Sequence, residues 1–172
     1  MIRIVADTTC DYPQELHIEE KITIIPLKVT INGMNYDDKL ELSNQQFFEL
    51  LPQSEQLPVT AAPSPEQYRR VFETFCANGD SVLCFTCSSK LSASYQSALI
   101  AKDMVEGKID IIDTRTAALG SGMPVMGMRP MHMPTFSRIW NVHMATHPIR
   151  TSREKKDSVF IARRMVEKII QA

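Results

Sequence analysis

Over the first 115 residues, apolar β-branched runs alternate with helix-period segments. An α/β domain with a mostly parallel sheet leaves this order in its sequence. Ile2 to Asp7 reads as a first strand, Pro13 to Glu20 as a short helix, and Ile22 to Ile31 as a second extended run. Asn32-Gly33 tolerates positive φ at both positions, which suits a tight turn and brings Met34 to Tyr36 back as a hairpin arm. Ser43-Asn44-Gln45-Gln46 has capping-box spacing ahead of Phe47, Phe48, Leu50 and Leu51, so a helix is predicted to start there.

The clearest helix signal begins at Ser64. Ser64-Pro65-Glu66-Gln67 supplies an N-cap, a first-turn proline, an acid near the positive dipole end and a glutamine at the third position. Tyr68, Val71, Phe72 and Phe75 then recur at spacings of three and four, one buried stripe that stops near Asn78-Gly79. Ser81 to Cys87 is a short apolar strand, Ser88 to Ser92 opens a further helix running to about Glu106, and Lys108 to Asp113 is the next strand. The expected architecture is a mostly parallel sheet with helices on both faces.

Right-handed strand–helix–strand units send every strand up through the sheet and every helix back down. The helices after Ser64 and Ser88-Ser89 therefore begin at the edge where strands end, which Asp7-Thr8-Thr9 and Asp113-Thr114 share. Open α/β sheets bind ligands at that edge. Thr60, and Ser89 or Ser92 in the first turn of the next helix, offer O–H and N–H donors beside two positive helix ends. Such an anion cradle needs no lysine or arginine. It suits a carboxylate or a phosphate, though a phosphate site usually has a glycine-rich turn and Ser88 to Ser92 contains none. A single Ser or Thr so placed often does no more than cap its helix. Convergence of several such loops is what points to binding.

Composition changes the picture mainly at the C-terminal end. The chain has 172 residues, 44% apolar and 23% charged, an ordinary globular balance. Residues 1 to 126 carry 10 basic and 17 acidic side chains, whereas 127 to 172 carry 9 and 3, and seven of the ten methionines lie between Met123 and Met165. This divides an α/β domain, 1–123, from a divergent basic segment, 124–172. Pro124 to Pro148 holds four prolines and no acid, which predicts irregular structure. Val159, Phe160, Arg163, Val166, Ile169 and Ile170 fit a terminal amphipathic helix with Lys155, Lys156, Arg164 and Lys168 on its other face. No run approaches the roughly 18 apolar residues of a membrane span, and the opening decapeptide lacks a basic head followed by an apolar core. The expectation is a cytoplasmic chain with no integral membrane segment and no nucleic-acid partner.

Several motifs carry little. Cys84 and Cys87 spell C-x-x-C, but residues three apart on a strand face opposite sides, and no second such pair exists. Buried strand cysteines are the better reading. His143 and His147 are four apart with His132 upstream, yet Pro148 and the lack of an acidic partner weaken a metal site. Gly120-Ser121-Gly122 lacks the rest of a dinucleotide fingerprint, and no Ser-His-Asp set assembles. No metal and no cofactor are expected.

Four segments, taken together, resemble the DegV family of bacterial fatty-acid-binding proteins. Val5 to Pro13 (VADTTCDYP) resembles its opening V-x-D-S-T-x-D-x-P, and Ile24 to Val29 (IIPLKV) its I-x-P-L-x-V strand. Val59 to Pro65 (VTAAPSP) resembles its T-S-Q-P-S-P loop, and Ser88 to Ala98 (SSKLSASYQSA) its S-S-x-L-S-G-T-Y-Q-S-A segment. Asp113-Thr114-Arg115 and Ala118 to Gly122 extend the likeness to about residue 123. The resemblance implies a carrier, not a catalyst, that buries a long-chain fatty acid and presents it to a fatty acid kinase partner. The carboxylate would be held by Thr60 and Ser92, with Ser88 and Ser89 lining the same loop. Ala61 and Ala62 depart from the family's Ser-Gln, and Ala93 from the glycine after the serine. Family members also carry a second domain of similar size over the lipid, and the match here stops near residue 123. Two other readings stay open: a small enzyme for a phosphorylated metabolite, drawing a base or cation from Asp7, Asp113 and Arg115, or a shortened homologue that binds no lipid.

Overall fold

The computed structural model describes residues 1–11, 22–118 and 121 of the chain. The expected Pro13–Glu20 helix, all four histidines and the segment from 124 onward, with its terminal helix, lie outside the described residues.

Four parallel strands form the main sheet: β1 (Ile2–Asp7), β2 (Thr23–Ile25), β6 (Ser81–Thr86) and β7 (Ile109–Asp113), in the order β2-β1-β6-β7. Ile2 pairs with Ser81 and Ala6 with Phe85, while Thr86 pairs with Asp113, so β1, β6 and β7 finish at one edge. The expected extended run from Ile22 to Ile31 breaks at Pro26, which lacks the N–H a ladder needs. Beyond it, β3 (Lys28–Ile31) leaves for a second, antiparallel sheet in the order β4-β3-β5, with β4 (Met34–Asp37) and β5 (Val59–Ala61). The β3–β4 hairpin turns at Asn32 and Gly33, whose φ values of 52° and 75° give the left-handed pair that a two-residue loop needs. A Cβ on Gly33 would meet nothing within 4 Å, so the dihedral and not the space calls for glycine.

Among the described residues the first α-helix, α1 (Asn44–Leu50), starts at the Ser43–Gln46 capping box and packs Phe47 and Leu50 against Val29, Ile31 and Leu42. α2 (Pro65–Ala77) starts at a second capping box, in which Gln67 N–H donates to Ser64 Oγ and Ser64 N–H donates to Gln67 Oε1 at 2.9 Å. α3 (Ser94–Asp103) begins later and ends earlier than the sequence suggests.

Strand β6 sends apolar side chains to both faces of the main sheet. Val82 and Cys84 join Val5, Ile25 and Ile109 against Tyr68, Phe72, Ala98 and Ala101 of α2 and α3. Leu83 and Phe85, one residue out of phase, join Ala6, Cys10, Ile22 and Ile112 on the reverse face. Among the described residues both long helices thus cover one face, as two successive right-handed crossovers in the same direction require. The element expected over the reverse face lies in the undescribed 12–21 stretch. None of the four cysteines is in a disulfide. Among the described residues, no helix is long and apolar enough to cross a membrane, and no group of three or more His, Cys, Asp and Glu is placed to hold a metal.

Candidate functional site

At the end of β1 the chain turns through a short 3-10 helix, Thr8–Cys10, capped by Asp7. Asp7 is 1% exposed, and its carboxylate accepts from Thr9 N–H at 3.1 Å, from the Thr9 hydroxyl, and from Cys87 N–H at 3.1 Å. Burial pushes the Asp7 carboxyl above its ordinary range, against the opposing pull of these donors and of the Ser94 hydroxyl. The next residue, Thr8, accepts Leu27 N–H at 3.1 Å and pins the corner between the two sheets to this edge.

The loop after β6 is tied to both neighbours. Ser89 donates through its hydroxyl to Asp113 Oδ2 at 2.6 Å and through N–H to Oδ1 at 3.1 Å, and Arg115 N–H adds a third donor at 2.9 Å. Thr114 Oγ1 donates to Thr86 O at 2.8 Å, and Ser121 Oγ donates to Thr9 O at 3.2 Å. The strand-end loops of β1, β6 and β7 are therefore one hydrogen-bonded unit, as the expected convergence requires.

Within that unit the four expected ligand residues separate. Ser88 is buried, and its oxygen accepts Lys90 N–H at 3.3 Å. Ser92 is partly exposed, accepts Ser94 N–H at 3.2 Å, and lies 2.9 Å from Ser94 Oγ. Ser89 commits its hydroxyl to Asp113. Neither Ser89 nor Ser92 sits in the first turn of a helix, contrary to expectation: residues 88–93 form turns, and α3 starts from Ala93. Alanine carries no capping group, so the N-cap position makes no side-chain bond, and Ser92 Oγ meets only the Ser94 N–H. Of the two helix starts at this edge, α2 is closed by its own capping box, whereas α3 has no N-cap side chain: Ser92 Oγ takes the Ser94 N–H, and only the amides after it are left to solvent or a ligand.

Thr60, expected in a loop, lies in β5, paired with Val29 on the second sheet, and is exposed. It leads within four residues to Ser64, the N-cap of α2, and Tyr68 of α2 has Ser94 at the start of α3 beside its hydroxyl. The strand bearing Thr60 thus runs into the helix that borders the Ser92–Ser94 pair.

Sequence reasoning placed Tyr68 in a core stripe and gave Ser94 no role. Tyr68 is fully buried with the stripe, but its hydroxyl closes no hydrogen bond, although the Ser94 side chain is close. Burial holds the phenol well above its ordinary pKa, so it stays protonated. A polar atom ending an otherwise apolar helical stripe was the signal available.

An open parallel sheet with hydroxyl-bearing loops at its carboxyl edge places the chain among open α/β domains, a class in which ligands are commonly bound at that edge. More specifically, the chain belongs to the DegV family, whose model, described as a family of uncharacterised proteins, matches residues 1–133. A DegV domain-containing protein of Caldanaerobacter subterraneus subsp. tengcongensis is 37% identical over 126 residues, covering 73% of this chain and 45% of the relative. A stearic acid-binding protein of Eubacterium ventriosum superposes with a TM-score of 0.76 at 27% identity, covering 82% of this chain and 52% of the other. A fatty-acid-binding DegV protein of Thermus thermophilus gives 0.74 at 30% identity, with the same coverage of 82% and 52%. The chain spans about half the length of these relatives.

Proposed function

We propose that the chain binds a long-chain fatty acid, with the carboxylate at Thr60, Ser88 and Ser92 beside the uncapped start of α3. In this reading it is a non-enzymatic cytoplasmic carrier that presents the carboxylate to a fatty acid kinase subunit. The observation that carries it is the hydroxyl-lined, uncapped helix start in a domain that superposes on two fatty-acid-binding proteins at 27% and 30% identity. Ser89, engaged with Asp113, shapes the loop and does not touch the ligand.

The division of labour follows from magnitudes. Burial of an acyl chain is worth about 0.8 kcal/mol per methylene, so the tail supplies affinity while hydroxyls fix the head group. Leu57, Val59 and Leu91 flank Thr60 and Ser92 in the chain and are large apolar side chains left exposed, which suits a loop that meets lipid. The exposed head-group end is also where a kinase would reach the carboxylate. A phosphorylated-metabolite enzyme finds less support. Asp7 is buried beneath three donors, and Asp113 takes three more, so neither is free to act as a base.

Native mass spectrometry of the full chain purified from cells, followed by lipid extraction, tests the reading. A long-chain fatty acid is expected with the unsubstituted protein. Combined Thr60→Ala and Ser92→Ala should lower retention roughly tenfold or more, because a carboxylate leaving water loses two donors. Ser89→Ala should leave retention unchanged. Equal retention by the double variant removes the head-group site.

A further inference from the structure

The Ser92–Ser94 contact is a pair of hydroxyls 2.9 Å apart in which either oxygen could donate. The direction matters to any ligand. If Ser94 donates to Ser92, the Ser92 oxygen receives both the Ser94 hydroxyl and Ser94 N–H, its two lone pairs are filled, and its own proton must point away. If Ser92 donates to Ser94, that proton is spent inside the protein.

What sets the direction is the supply of protons to Ser94. Its side chain is wholly buried. Two groups besides Ser92 bear on it, the Asp7 carboxyl and the Tyr68 hydroxyl. Asp7 already accepts from Thr9 N–H, the Thr9 hydroxyl and Cys87 N–H, so the Ser94 hydroxyl, which also bears on it, would be its fourth donor. Tyr68 Oη is fully buried and unpartnered, with the ionisable groups around it being Cys84, Asp7 and Cys87. Ser94 is the hydroxyl beside it. An unused donor in a dry site costs about 1–3 kcal/mol, so it is retained at a penalty unless some state of the protein uses it.

We propose that Tyr68 is a positioning residue: in the ligand-bound protein its hydroxyl donates to Ser94 Oγ, Ser94 donates to Ser92 Oγ, and the Ser92 proton is thereby aimed at the ligand carboxylate. Tyr68 fills one of the two Ser94 lone pairs, which makes Ser94 a poorer acceptor for the Ser92 proton and a better donor to Ser92. It lies one step removed from the ligand and acts through Ser92. The inference deepens the fatty-acid reading and rests on it.

The test compares binding of oleate and of oleyl alcohol to the full chain and its Tyr68→Phe variant. Oleate should bind the variant about fivefold more weakly, the value of one hydrogen bond. Oleyl alcohol, which has no carboxylate for Ser92 to meet, should bind both alike. The urea midpoint should hold or rise, since phenylalanine fills the same core space without the orphan hydroxyl. A double-mutant cycle adds a readout that a packing role would not move: in a Ser92→Ala background, Tyr68→Phe should cost nothing further. Oleate affinity within twofold of the unsubstituted chain, or a Tyr68→Phe loss that persists without the Ser92 hydroxyl, overturns the inference. An unsubstituted chain that binds no oleate overturns the fatty-acid reading itself, and the inference with it.

Discussion

Asp7→Asn separates the shape of the strand-end cluster from its charge. The two side chains are isosteric, but asparagine can place an acceptor on one side only. Asp7 Oδ1 takes two donors, both from Thr9, and Oδ2 takes the Cys87 N–H. The amide oxygen should therefore stay with Thr9, leaving the NH₂ facing the Cys87 N–H, donor against donor. One hydrogen bond to a charged acceptor is lost, worth about 1.5–3 kcal/mol, and a buried N–H is stranded at about 1–3 kcal/mol. Relief of a buried charge offsets part of this, so a net loss of about 3 kcal/mol is expected. At about 1–3 kcal/mol per molar urea, the midpoint should fall by about 1–3 M. The pH dependence supplies the sharper check. Burial raises the Asp7 pKa in the folded protein above the unfolded value. Between those two values the folded chain holds more protons than the unfolded one, and the stability this group contributes falls as pH rises. Asparagine has no such titration, so the deficit of the variant should be largest near pH 4 and shrink toward neutrality. Taking the difference between the two proteins cancels groups such as Glu66, whose pKa is lowered to about 2 by Arg69 and Arg70 and whose slope has the opposite sign. A midpoint unchanged by the substitution, or a deficit that grows with pH, would refute the assignment of Asp7 as a buried acceptor at a junction of two loops.

Two further substitutions test the frame that carries the site. Ser64→Ala removes the capping hydroxyl from Gln67 N–H and should cost about 1 kcal/mol, with faster amide exchange at Gln67; unchanged exchange there would mean the capping box is not formed. Gly107→Ala should cost about 1–3 kcal/mol, because its Cβ would lie 2.7 Å from Cys76 Cβ and closer still to the Cys76 sulfur. Adding Cys76→Ala removes the nearer atom, so thermal unfolding should show part of the loss recovered; no recovery would place the clash elsewhere.

What the sequence could disclose divides according to the distance over which each feature is decided. Capping boxes are settled within four residues, and Ser43 with Gln46 and Ser64 with Gln67 form as their spacing requires. The Asn32-Gly33 turn is likewise local, as is the alternation that sends Val82 and Cys84 to one face and Leu83 and Phe85 to the other. The break at Pro26 was equally visible, but proline ends a ladder without saying where the chain goes next, so the second sheet was not foreseen. The serine loop fails differently. Ser88-Ser89 looked like a helix start because a hydroxyl before an apolar run commonly caps one, yet Ser89 finds Asp113, 24 positions along, and an anionic acceptor outbids a helix amide. Cys87 reaches Asp7 across 80 positions, and Tyr68 brings its hydroxyl near Ser94 from another helix without closing a bond. Which way a serine proton points depends on all of these at once. Residue types therefore announced that an anion could be held at this edge, whereas the orientation of the donor that would hold it is a property of the assembled core.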